Sequence, residues 1–182
     1  MRVLVAYETA HGSTKEIAEK VAEALREAGM DADVGRCRQI GDVSGYDAFV
    51  IGTPIWGGKS LGPFRKFLRR NAEVLASAPV AVFIASGAAT TEEGKADIAA
   101  TAIPNVLADA PGVEPLSIGN FAGVIDFAAY NLPMRLIMKA ILRSQGGPTT
   151  GRHDHRQWDE ISAWAKDVAD AFALGLGERS SD

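Results

Sequence analysis

Cysteine is nearly missing from this chain, with Cys37 its one thiol. A single cysteine closes no internal disulfide, and no C-x-x-C pair is present to begin a zinc or dithiol site. We therefore expect no metal, and we read Cys37 as a small strand-end residue. Long apolar runs are missing as well. The best stretch, residues 121–142, is broken by Asp126, Asn131, Pro133, Arg135 and Lys139, whereas a spanning helix needs about 18 apolar residues in a row. The opening run Met1–Tyr7 has neither the length nor the small-residue cleavage site of a secretory signal, so a cytoplasmic location is expected. There is no basic excess: 19 Lys plus Arg stand against 23 Asp plus Glu, a net −4, which argues against a nucleic-acid partner. The dinucleotide fingerprint G-x-G-x-x-G is absent. Gly58-Lys59-Ser60 looks like the end of a P-loop, but its first glycine would fall at Thr53, so that reading is rejected.

The chain does have an ordinary globular composition, 47% hydrophobic and 23% charged over 182 residues, which suits a single domain spanning 1–182. The charge is uneven. Residues 131–157 hold Arg135, Lys139, Arg143, Arg152 and Arg156 against Asp154 alone, so one basic segment sits in an acidic body.

Apolar runs rich in β-branched residues predict strands at Arg2–Tyr7, Asp31–Arg36, Ala48–Gly52, Val80–Ser86 and Glu114–Phe121. Helices are predicted between them: one from a capping box at Ser13-Thr-Lys-Glu16, one through Phe64, Phe67, Leu68 and Leu75, and one over Lys95–Ala108 that Pro104 should kink or shorten. Residues 122–157 read as irregular with one helix. Trp158–Leu174 reads as the closing helix, with a frayed tail after it. This alternation implies an α/β fold, a parallel sheet covered on both faces, because parallel strands need crossover helices.

In such a sheet, ligands sit at the carboxyl ends of the strands. The loop Thr9, Ala10, His11, Gly12, Ser13, Thr14 offers hydroxyls, a permissive glycine and a helix N-terminus, which together suit a phosphate. The loop Thr53, Pro54, Ile55, Trp56, Gly57, Gly58 offers an indole that would suit a planar aromatic ligand, with two glycines that let backbone amides come close. The loop from Ser86, Gly87 and Ala88 to Thr91 is small and polar.

These three loops together resemble the FMN loops of flavodoxins. The resemblance implies a doubly wound five-stranded sheet in the order 2-1-3-4-5 and FMN as cofactor. It places residues 9–14 around the phosphate and residues 53–58 and 86–91 around the isoalloxazine, with Trp56 on or beside the ring. The third loop carries no Tyr or Trp, so one flavin face should be open or covered from elsewhere.

The segment at about 122–157 is read as an insertion. Its helix should open near Pro133 and end at Gly146. Met134, Ile137, Met138, Ile141 and Leu142 form an apolar stripe, and Arg135, Lys139 and Arg143 form a basic one. Such a helix can simply pack its apolar stripe on the sheet and leave its basic stripe in solvent. The run from Met134 to Trp158, however, resembles the corresponding part of the menaquinone-dependent protoporphyrinogen IX oxidases of heme biosynthesis. That resemblance implies an FMN-dependent oxidoreductase with a porphyrinogen-type substrate and a quinone acceptor, and Arg135, Lys139 and Arg143 as substrate-binding candidates. It also implies peripheral contact of 134–143 with the inner membrane face. The upstream stretch Gly123–Tyr130 is poorer in basic and aromatic residues than in that family. The alternatives are a flavodoxin-type electron carrier with a redox-protein partner, and an NAD(P)H:quinone reductase. His153 with His155, and the cluster Lys59, Arg65, Lys66, Arg69 and Arg70, are weaker signals, read first as ordinary surface residues.

Overall fold

The computed structural model describes residues 1–87, 89–144 and 146–179, with side chains to residue 175. Five parallel strands form the sheet: β1 (Arg2–Tyr7), β2 (Asp31–Arg36), β3 (Ala48–Pro54), β4 (Val80–Ser86) and β5 (Ser117–Ala122), in the order β2-β1-β3-β4-β5. This is the flavodoxin-like doubly wound topology expected. The strands are covered on both faces, and their residues alternate between two cores with the period of two that a pleated strand imposes. Val3, Val5 and Tyr7 of β1, with Phe83 of β4, face helices α1 (Ser13–Glu27) and α6 (Trp158–Arg179). Leu4 and Ala6, with Val82 and Ile84, face α2 (Gly62–Arg70), α3 (Ala72–Ser77) and α4 (Glu92–Leu107). Gly52 is required by this packing, because a Cβ there would lie 1.9 Å from the Phe83 ring.

Several boundaries differ from expectation for local reasons. β3 runs on to Pro54, whereas β5 begins only at Ser117. The second helix is two, α2 and α3, divided at Asn71, whose amide Nδ2 donates to the Phe67 carbonyl at 2.8 Å. Helix α4 starts earlier, at Glu92, with the Thr91 hydroxyl accepting from Gly94 N–H at 3.1 Å, and it ends one turn after Pro104. Helix α6 continues through Arg179, into the expected tail, whose last residues 180–182 lie outside the described residues.

Helix α1 begins at Ser13, but not through a capping box. Gly12 is its N-cap, at φ +96°, and no side chain caps it. The Glu16 carboxylate is drawn instead to Arg156, at 2.7 Å.

The segment after β5 is more ordered than expected. A short antiparallel hairpin, β6 (Val124–Asp126) with β7 (Arg152–Asp154), flanks α5 (Leu132–Ser144). The Asn131 side chain accepts from Met134 N–H at 3.0 Å and starts α5. Gly147 N–H donates to the Leu142 carbonyl at 2.8 Å and closes it, with Gly146 at φ +70°. No described helix is long and apolar enough to cross a membrane.

Candidate functional site

The parallel sheet sends the ends of β1, β3 and β4 to one edge, and β1 and β3 flank the point where the chain changes winding direction. A cleft of about 820 Å³ opens there. Residues from all three expected loops line it: Ala10, His11, Ser13 and Thr14; Pro54, Ile55, Trp56 and Gly57; Ser86 and Gly87. Ala88 lies outside the described residues. Thr9, Gly12, Thr53 and Gly58 are not on the wall and act behind it. The Thr9 hydroxyl accepts from Gly12 N–H at 2.9 Å, which bends the first loop into α1. The Thr53 hydroxyl is fully buried and donates to the Pro54 carbonyl.

Two features of the first loop suit an anion. The hydroxyl of Thr14 is fully buried and has no hydrogen-bond partner. Lys15 and Glu16 N–H donate to the Gly12 carbonyl at 3.0 and 3.3 Å, which leaves the N–H groups of Ser13 and Thr14 as free donors at the start of α1, and the helix dipole makes that end favourable for an anion. In the second loop, Trp56 and Lys59 exchange backbone hydrogen bonds at 3.0 and 3.1 Å around Gly57 and Gly58. Both glycines have positive φ, +54° and +74°, as a two-residue primed turn demands. The indole of Trp56 is half-buried at the cleft edge.

The fourth wall comes from the segment after β5. Gly123 N–H donates to the Ser86 carbonyl at 3.0 Å and ties this segment to the third loop. Ile125, Phe127 and Tyr130 form a small buried cluster on which Trp56, Met134, Met138 and Leu142 pack. The apolar stripe of α5 therefore divides. Met134, Met138 and Leu142 cover the hairpin and Trp56 rather than the sheet, while Ile137 and Ile141 stay exposed, as do Leu132 and Leu136 outside the stripe. Tyr130 meets Trp56 edge-on at 5.5 Å and His11 at 5.7 Å between ring centroids. This aromatic, absent from the third loop, thus reaches the cleft from the segment. Burial pushes its phenol pKa up.

The basic residues of the segment are dispersed. Arg135, Lys139 and Arg143 do not line the cleft, and Arg135 Nη2 turns back to the Tyr130 carbonyl at 3.1 Å. Arg152 and His155 do line it. His153 stacks on His155 at 6.3 Å, and among the described residues no group of three or more potential ligands is placed to hold a metal. Of the second basic cluster, Arg69 pairs with Asp109 and Arg70 donates to the Ile40 carbonyl. Cys37 is buried, and desolvation raises its thiol pKa further.

Sequence reasoning missed three supports of the site. Glu8 is completely buried at the end of β1 and accepts from Arg36 Nε at 2.6 Å and Arg38 Nη2 at 2.9 Å. Burial works against its ionisation, but hydrogen bonds from Arg38, Arg36 and Thr9 N–H hold its pKa below the ordinary value. Arg36 also donates to the Thr9 carbonyl at 2.8 Å, fixing the first loop. A carboxylate ending an apolar strand was the available signal. Arg156 and Tyr130 are the other two, and neither carries a local signal.

These features fit FMN. An uncapped helix start with an orphaned hydroxyl suits a phosphate monoester, and a cleft edged by an indole suits a planar ring. A family model described as Flavodoxin domain matches residues 4–151. The chain belongs to the flavodoxin family. Protoporphyrinogen IX dehydrogenase (quinone) of Escherichia coli strain K12 is 27% identical over 173 residues, covering 93% of this chain and 95% of that protein. Oxidised Flavodoxin 2 from Bacillus cereus superposes with a TM-score of 0.58 at 18% identity, over 96% of this chain and 99% of the other. A flavoprotein from Lactobacillus acidophilus in complex with FMN superposes with a TM-score of 0.51 at 18% identity, over 65% of this chain and 92% of the other. These two structures bear on the fold alone. FMN is the cofactor that this family implies, and the residues present suit it.

Proposed function

We propose that this flavodoxin-family protein is an FMN-dependent oxidoreductase that oxidises a porphyrinogen-type substrate and passes the electrons to a quinone. The observation that carries this reading is the cleft wall built by the segment after β5. A bare electron carrier needs a cradle for its cofactor. This chain adds Met138, Ile141, Leu142, Pro148, Arg152 and His155 beyond the three loops. That wall is mostly apolar, with Arg152, His155 and Asp126 as its polar side chains, and an apolar shelf beside a guanidinium suits a wide apolar ring with carboxylate arms. Similarity to the E. coli dehydrogenase along nearly the whole chain supports the same reading.

Bound FMN supplies the two-electron acceptor. The chain's own residues do the rest. The first turn of α1 and the Thr14 hydroxyl hold the phosphate. Trp56 and Gly57 border the ring. Tyr130 and the face of α5 carrying Met138 and Leu142 line the cleft and would exclude water from it. Arg152 and His155 receive the substrate's carboxylates. A part for Arg135, Lys139 and Arg143 then lies outside the cleft. With the exposed Leu132, Leu136 and Ile137 they form a basic-rimmed apolar face suited to an anionic membrane that holds the quinone.

The test is anaerobic oxidation of protoporphyrinogen IX with a menaquinone analogue. Flavin-dependent turnover with both substrates supports the proposal. Absence of turnover, together with one-electron exchange with a redox protein, would replace it with an electron carrier. Turnover by a nicotinamide donor instead would make it a quinone reductase.

A further inference from the structure

Arg156 is the one buried cation among the described residues, its side chain 2% exposed. All three of its guanidinium nitrogens donate. Nε donates to Asp154 Oδ1 at 2.8 Å, and Nη2 donates to the other oxygen of the same carboxylate. Nη1 donates to Glu16 Oε2 at 2.7 Å and to the Ser13 carbonyl at 3.3 Å. The plane lies over Trp158, 4.4 Å from the ring centroid. Arg156 therefore joins the hairpin strand β7 to the first turn of α1.

That turn also holds the orphaned Thr14 hydroxyl and the free N–H groups of Ser13 and Thr14. Glu16 lines the cleft beside them. Left to itself, a first-turn carboxylate such as Glu16 is drawn toward the positive, N–H end of its own helix. There it would occupy donors that a ligand needs and would place a carboxylate against an incoming anion. We propose that Arg156 is a positioning residue for the phosphate end of the cleft. It holds Glu16 away from the start of α1 and offsets its charge, so that the turn accepts a phosphate dianion. This inference rests on the FMN reading above.

The test compares two ligands that share a ring and differ in the phosphate. Apoprotein is titrated with FMN and with riboflavin at low salt, following flavin fluorescence. The Arg156→Met variant should bind FMN on the order of tenfold more weakly and riboflavin with less than about a twofold change. Adding Glu16→Gln to that variant should restore most of the FMN affinity, because the carboxylate to be restrained is gone. Arg156→Lys, which keeps the charge but loses the fork, should fall between. Equal losses for both ligands would reduce Arg156 to a structural brace and overturn the inference. Unchanged FMN affinity, or no recovery with Glu16→Gln, would overturn it too. If Arg156→Met does not fold, Glu16→Gln alone decides: FMN affinity at or above wild type supports the inference, and an FMN-specific loss overturns it. Wild-type protein that binds neither flavin would overturn the FMN reading itself.

Discussion

The sheet body and the segment from 122 to 157 are built on different terms. Strands β3 and β4 are buried at every position, and Phe49, Phe64, Phe67, Phe83 and Phe172 are enclosed completely. Helix α5, by contrast, has no fully buried residue and rests on a cluster of three, Ile125, Phe127 and Tyr130. The body carries two large apolar cores, one on each face of the sheet. The segment is held by a few specific ties: the Gly123 bond to Ser86, the Arg156 ion pairs and the aromatic contacts of Tyr130. Buried apolar packing is thus concentrated in the sheet body, while the fourth wall of the cleft lies in the part with the fewest buried side chains.

The largest effect should come from the body. Phe83→Ala removes a ring packed against Gly52 and Phe121 and should cost about 3–5 kcal/mol in chemical denaturation. Ile137→Ala, on the exposed side of α5, should cost less than about 0.5 kcal/mol. Equal costs would end the contrast between the two regions.

Next is the buried charge at the body's edge. Glu8→Gln leaves Arg36 and Arg38 without their shared carboxylate and should cost about 2–3 kcal/mol. Because the folded pKa of Glu8 lies below its ordinary value, its contribution is present above the ordinary carboxylate range and is lost as pH falls through the lowered value. Stability of wild type minus that of Glu8→Gln should therefore shrink on acidification, and a constant difference would remove the ion cluster from the account.

A smaller effect sharpens the comparison without a mutation. Hydrogen exchange should be fast at 132–144, through local opening, while β1, β3 and β4 exchange only through global unfolding. Uniform protection would mean that the segment is part of the core. The smallest stability change belongs to the triple replacement of Arg135, Lys139 and Arg143 by Ala, within about 0.5 kcal/mol of wild type. The same variant should lower quinone-coupled turnover on anionic vesicles, and an unchanged rate would remove these residues from the proposal.

Much of the fold and of the three loops was legible in the sequence because their signals are local. An apolar strand, a polar loop and a helix start follow one another within about fifteen residues. What escaped was set by distant partners. The Ser13–Glu16 spacing reads as a capping box, yet Glu16 is claimed by Arg156, 140 positions away. Glu8 meets Arg36 and Arg38 at separations of 28 and 30. The three-residue strands β6 and β7 are too short to show a period. Arg135, Lys139 and Arg143 share one side of α5 by their spacing of four in a helix, but spacing alone does not say which face meets the cleft. Arg152 and His155, which do, carry no periodic signal.

The most direct test of the central claim is the flavin content of the purified protein. The account predicts a yellow protein that releases close to one FMN per chain on denaturation and takes FMN up again on refolding. A colourless protein that does not bind added FMN would contradict it, whatever its fold.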